Sequence, residues 1–171
     1  KIKLTSDPKH EYFGESFACP KCTTIQELVQ ATGVPVGYTD WSLEQLDASS
    51  DFISSCKNHL SDGDSIVMYG KVGRGKTHTA IGLLREWIRA GGITNGRFRP
   101  AKFIYFPQFL DDMREMFGDD SNAKQAQQYE SELASYDLLV VDDLGAESTS
   151  AWVIERVNVI LDRRLRDNKQ T

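Results

Sequence analysis

The chain has 171 residues, of which 40 % are hydrophobic and 26 % charged, with a formal net charge of −5. That is one main domain of ordinary globular composition, with room for a small appendage. The acidic balance leaves no global nucleic-acid footprint, so any contact with DNA or RNA has to come from a local patch. No apolar run approaches the ~20 residues needed to span a bilayer, no signal peptide opens the chain, and the odd count of three cysteines argues for a reducing, cytosolic setting.

Residues 1–18 read as polar and irregular. Cys19-Pro20-Lys21-Cys22 then forms half of a zinc site, because the tight turn brings both thiolates onto one ion. The plainer reading is a pair of reduced thiols on a turn. Thr24 to Thr32 predicts a short helix, and the Gly/Pro-containing stretch from Gly33 to Asp47 a connector. Ser50 to Leu60 predicts a second helix with Phe52, Ile53, Cys56 and Leu60 aligned, which makes Cys56 a core residue.

Ser65 to Tyr69 is a short apolar run, expected as a strand. Gly70-Lys71-Val72-Gly73-Arg74-Gly75-Lys76-Thr77 follows and fits G-x-x-x-x-G-K-S/T, the phosphate-binding loop. Glycines let successive N–H groups curl inward onto phosphates, and the next helix aims its positive end at them. Lys76 is expected on the β- and γ-phosphates and the Thr77 hydroxyl on Mg²⁺. The helix after Gly75 carries Ala80, Ile81, Leu83, Leu84, Trp87 and Ile88 as the apolar face expected to pack on a sheet, and is expected to end at Gly91-Gly92.

Lys102 to Phe106 predicts a second strand, and Pro107 opens a helix with Phe109, Leu110, Met113 and Met116. Phe103, Tyr105, Phe106 and Phe109 are read as core rather than as a base-stacking surface. A polar helix is expected over 123–135. Leu138-Leu139-Val140-Val141-Asp142-Asp143 reads as a strand buried on both faces, with its carboxylates emerging where α/β sheets bind ligands. Asp142 is the candidate for the Mg²⁺ water shell, and Asp143 for polarising the attacking water. A last helix is expected to be capped by Ser148 or Thr149, with Val153, Val157, Ile160, Leu161 and Leu165 inward and Arg156, Arg163, Arg164 and Arg166 mostly off that face.

Three stretches together resemble the AAA+ helicase loaders of the DnaC/DnaI type and the related IstB transposition helpers: ATGVPVGYTDWSLEQLD, GKVGRGKTHTAIGLL with His78, and DLLVVDDLGAESTSAWVIERVNVILDRR. The resemblance covers about residues 33 to 171. It implies an α/β fold: a P-loop NTPase of AAA+ type, a three-layer sandwich with a parallel sheet, truncated. A small N-terminal segment (1–32) and a connector (33–47) would precede the ATPase core (48–171). It also implies ATP and Mg²⁺ at residues 70–78, with Lys76 and Asp143 catalytic and Thr77 and Asp142 on the metal. Cys19 and Cys22 would be part of a zinc knuckle whose other cysteines lie before Lys1. A replicative DNA helicase, single-stranded DNA and further copies of the chain are the implied partners, in the cytoplasm and off the membrane.

The chain starts without Met and reads as a fragment, so the sensor Asn and arginine finger that the resemblance implies would follow Thr171. Asp143 stands where many AAA+ members carry Glu, although the DnaC/DnaI group tolerates Asp. The expectation is a helicase-loading ATPase whose fragment binds ATP far better than it hydrolyses it. The alternatives are a nucleotide-dependent binding switch and a transposition helper.

Overall fold

A computed structural model of the chain describes residues 2–3, 16–17, 24–91, 93–94, 97–98, 100–117, 123–144 and 151–171. Capping chemistry sets the first helices. Helix α1 (Ile25–Ala31) starts at Thr24, whose hydroxyl accepts from the Glu27 N–H at 3.2 Å while the Glu27 carboxylate accepts from the Thr24 N–H at 2.7 Å. Helix α2 (Ser50–Asp62) takes Ser49 as its cap and stops at Gly63 in the left-handed region. Helix α3 (Lys76–Gly91) runs from the glycine-rich loop, and its Ile81, Leu84, Trp87 and Ile88 are all buried as the periodicity requires.

Strand β5 (Ala101–Tyr105) pairs in parallel with β6 (Leu138–Asp142), in register from Ala101–Leu138 to Tyr105–Asp142. Alternation along the strands divides their side chains between two faces. Ala101, Phe103, Leu138 and Val140 pack with α1 and α3. Ile104, Leu139 and Val141 pack with α4 (Phe106–Phe117), α5 (Ala123–Ser135) and α6 (Ala151–Arg166). The described part is therefore α/β, with helices on both faces of a two-stranded parallel sheet. Two short antiparallel pairs complete it: β1 (Ile2–Lys3) with β2 (Ser16–Phe17), and β3 (Ile93–Thr94) with β4 (Arg97–Phe98). The first pair lies within the segment expected to be irregular over 1–18, of which residues 2–3 and 16–17 are described. No described helix is long and apolar enough to cross a membrane.

The expected strand Ser65–Tyr69 does not form, and residues 64–71 carry no regular element. A strand requires a ladder, and β6 lies across a cleft of about 380 Å³ walled by Ile66, Met68, Leu139, Val140 and Val141 among others. The two sides are joined at its base. There Gln170 bridges Leu138 in parallel, the Leu139 N–H donates to the Gln170 carbonyl at 3.1 Å, and the Ile66 N–H donates to the Thr171 carbonyl at 2.9 Å. Val67 and Tyr69 are accordingly 84 % and 94 % exposed.

Two arginines of α6, expected mostly off its apolar face, are drawn into the fold, while Arg166 is exposed. Arg164 is only 1 % exposed and donates to the carbonyls of Leu133, Ala134, Tyr136 and Gln170 and to the Thr171 hydroxyl. Burial pushes its pKa down to about 10, so it stays charged at neutral pH. Arg156 pairs with the buried Glu130 at 3.1 Å. Leu165, expected inward, is 72 % exposed. Phe103, Phe106 and Phe109 are core residues as read, whereas Tyr105 is exposed. The expected Gly92, Ser148 and Thr149 caps lie outside the described residues.

Candidate functional site

The loop from Gly70 to Thr77 joins the open side of the cleft to α3. Gly73 and Gly75 both hold φ at 77°, a conformation that side-chain-bearing residues rarely adopt, and this lets the loop double back before the helix starts. The intervening Lys71, Val72 and Arg74 are exposed. Thr79 fixes the first helical turn, donating to the Gly75 carbonyl from both its N–H (2.8 Å) and its hydroxyl (2.9 Å). The Lys76 ammonium folds back on the loop and donates to the carbonyls of Gly70 at 3.1 Å and Lys71 at 3.2 Å.

Tertiary structure brings the two acidic and basic stretches together. The Thr77 hydroxyl donates to Asp142 Oδ1 at 2.9 Å, across 65 positions of sequence. Asp142 is the last residue of β6, and Asp143, exposed at the cleft, holds φ at 58°, a left-handed value that Asp accommodates better than most residues. Burial raises the Asp142 pKa above the usual carboxylate value. The Thr77 hydrogen bond opposes that shift, the neighbouring Asp143 charge adds to it, and Lys76 opposes it weakly. A hydroxyl and a carboxylate side by side form a hard-oxygen donor set of the kind Mg²⁺ takes, and so the residues present fit that ion.

His78 points elsewhere. Its ring stacks on Trp41 with centroids 4.6 Å apart and planes 17° apart, and Nε2 lies 2.9 Å from the Ser42 carbonyl. A carbonyl only accepts, so Nε2 carries the proton. Of the cysteines, Cys56 is buried in α2 as expected, and burial raises its thiol pKa. Cys19 and Cys22 lie outside the described residues.

No family model matches the chain. The replicative helicase loader DnaI of Bacillus subtilis is 28 % identical over 145 residues, which is 82 % of this chain and 42 % of that protein. The replicative helicase loader DnaC of Escherichia coli is 24 % identical over 123 residues, 70 % of this chain and 46 % of that protein. This chain is a relative of the DnaC/DnaI-type helicase loaders. The chromosomal replication initiator protein DnaA of Gluconobacter oxydans is also similar, 24 % identical over 123 residues, 66 % of this chain and 24 % of that protein.

The chain spans less than half the length of either loader it matches. Sequence reasoning missed two features of this loader relative. Trp41, Ser42 and Leu46 of the connector reach the glycine-rich loop and its helix, and the signal for this was the apolar and aromatic content of the connector, Tyr38, Trp41, Leu43 and Leu46 among it. Arg164 continues the spacing of Val153, Val157 and Ile160 and so belongs to the buried stripe of α6.

Proposed function

We propose that this chain binds ATP with Mg²⁺ on residues 70–77 as the AAA+-type P-loop domain of a factor that loads a replicative DNA helicase. The observation that carries the reading is the 2.9 Å contact between Thr77 and Asp142, which joins two distant motifs at one point beside Lys76. The backbone N–H groups of the loop and the start of α3 would cradle the phosphates, and Lys76 would exchange its two carbonyl partners for phosphate oxygens. Thr77 and Asp142 would hold Mg²⁺, which when bound neutralises charge on the β- and γ-phosphates. Asp143 would orient the attacking water.

The named relatives support helicase loading as the role. A replicative helicase, single-stranded DNA and further copies of this chain are the proposed partners. In this reading the connector 33–47 links the ATPase core 48–171 to an N-terminal module, to which Cys19 and Cys22 would contribute two zinc thiolates.

Lys76→Ala tests the site directly. Calorimetry should show MgADP affinity falling by at least about 100-fold, the scale of losing a charge-assisted phosphate contact. Equal binding by parent and variant would overturn the assignment. A second reading, a nucleotide-held switch with negligible hydrolysis, is favoured by the exposure of Asp143, since an exposed carboxylate orients a water weakly. Phosphate release measured with single-stranded DNA and helicase present separates the two, because robust turnover eliminates the switch.

A further inference from the structure

Residues 39–46 do not cross open solvent between α1 and α2. They lie along one stripe of α3 and the loop before it. Arg85 donates to the Thr39 carbonyl at 2.7 Å. Gly82 faces Leu43 so closely that a Cβ there would come within 2.7 Å of Leu43 Cδ2. His78 is held by Trp41 on its face and by the Ser42 carbonyl at its edge. Leu46 Cδ2 would lie 3.2 Å from a Cβ on Gly75. Positions 75, 78, 82 and 85 follow helical spacing, so a single stripe carries these four contacts, while Leu43 and Leu46 also join a cluster with Ile53, Cys56 and Leu60 of α2.

The connector 33–47 that contains this segment has two ends that differ in kind. Its far end, the one next to α1, is tied to the sheet: the Phe103 N–H donates to the Thr32 carbonyl at 2.8 Å, and Gly33 sits against the Phe103 carbonyl, where a Cβ would approach to 2.8 Å. Its near end rests on the loop. Gly75 presents no side chain, so Leu46 packs on loop backbone, and a change of φ or ψ at Gly75 displaces it. His78 adjoins Thr77, so a rotation of the first turn of α3 is delivered to this segment at two points, the Trp41 ring and the Ser42 carbonyl. Leu46 and Trp41 are only half-buried and residues 47–51 are exposed, which makes this end inexpensive to lift.

We propose that residues 39–46 form a strap that couples the state of the glycine-rich loop to the α1 end of the connector. Seating of the strap and occupation of the loop by nucleotide are then one linked equilibrium. This rests on the nucleotide reading above. Linkage is reciprocal: whatever factor nucleotide contributes to seating the strap, an unseated strap removes from nucleotide affinity.

The test combines amide hydrogen exchange over residues 36–46, with and without saturating MgADP, and calorimetric affinities for parent, Trp41→Ala, Leu46→Ala and Trp41→Phe. MgADP should slow exchange in the parent segment by about 5-fold or more, and each alanine variant should bind MgADP about 5- to 20-fold more weakly. Trp41→Phe keeps a ring on His78 and should stay within about 2-fold of the parent. The parent exchange result stands even if an alanine variant folds poorly. The strap is overturned if the parent binds MgADP with unchanged exchange over 36–46, or if both alanine variants bind as the parent does. If the parent binds no MgADP, the nucleotide reading falls and takes the strap with it.

Discussion

Asp142 is held at a cost to the folded chain. Its pKa is raised in the fold, so the folded state keeps that proton more tightly than the unfolded state does. Its contribution to stability is complete below the ordinary carboxylate pKa and is lost as pH rises through the higher folded value. Asp142→Asn should therefore melt higher than the parent at neutral pH, with the gap closing in acid, while losing the Mg²⁺ dependence of nucleotide binding. Scanning calorimetry from about pH 4 to 8, with and without MgADP, checks both; a variant that melts lower at neutral pH would contradict the assignment of strain to this carboxylate. Thr77 and Asp142 were legible as candidates because each belongs to a local pattern. The stack of Trp41 on His78 was not, since nothing in either stretch encodes the other.

At the scale of elements, the glycine inside α3 is informative. An interior helical Gly costs about 1 kcal/mol relative to Ala, so Gly82→Ala would stabilise a free helix. Here the added methyl would meet Leu43 Cδ2 at 2.7 Å, Leu43 Cγ at 2.9 Å and the Leu43 backbone nitrogen at 3.1 Å. A side-chain tip can swing aside more easily than the backbone nitrogen. The expected result is a net loss of about 1–2 kcal/mol in urea unfolding, and a gain would show that the connector yields freely. Helix positions were readable because capping residues and 3.6-residue spacing are local. The spacing predicts Leu161 and Leu165 as the continuation of the inward face of α6, yet Leu165 is exposed, Leu161 is partly buried and Arg164 is buried. A guanidinium can enter a core when helix-end carbonyls await it, and those carbonyls come from α5 and the segment after it.

For the molecule as a whole, period-two alternation in β5 and β6 specified which residues face α1 and α3 and which face α4, α5 and α6. The run at Ser65–Tyr69 has the composition of a strand, but pairing depends on what lies beside it, and a sequence pattern carries no record of neighbours. Arg164 joins the end of α5, the end of α6 and the last two residues, and it has no equivalent among the described side chains for the number of backbone carbonyls it satisfies. Arg164→Leu strands these buried acceptors and should cost about 3–5 kcal/mol in urea denaturation.

The same guanidinium has a consequence for the order of events in folding. Its acceptors lie about thirty positions away in sequence on one side and at the chain's last turn on the other, with separations of 31, 30, 28 and 6. The bonds to Leu133, Ala134 and Tyr136 cannot close until α5 and α6 have docked, and these long-range contacts are expected to form after the main barrier. Stopped-flow chevrons should then show Arg164→Leu accelerating unfolding while leaving the refolding rate nearly unchanged. A slowed refolding limb would instead put this clamp in the nucleus. On the expected outcome, Arg164 sets how long the folded chain lasts rather than how quickly it forms.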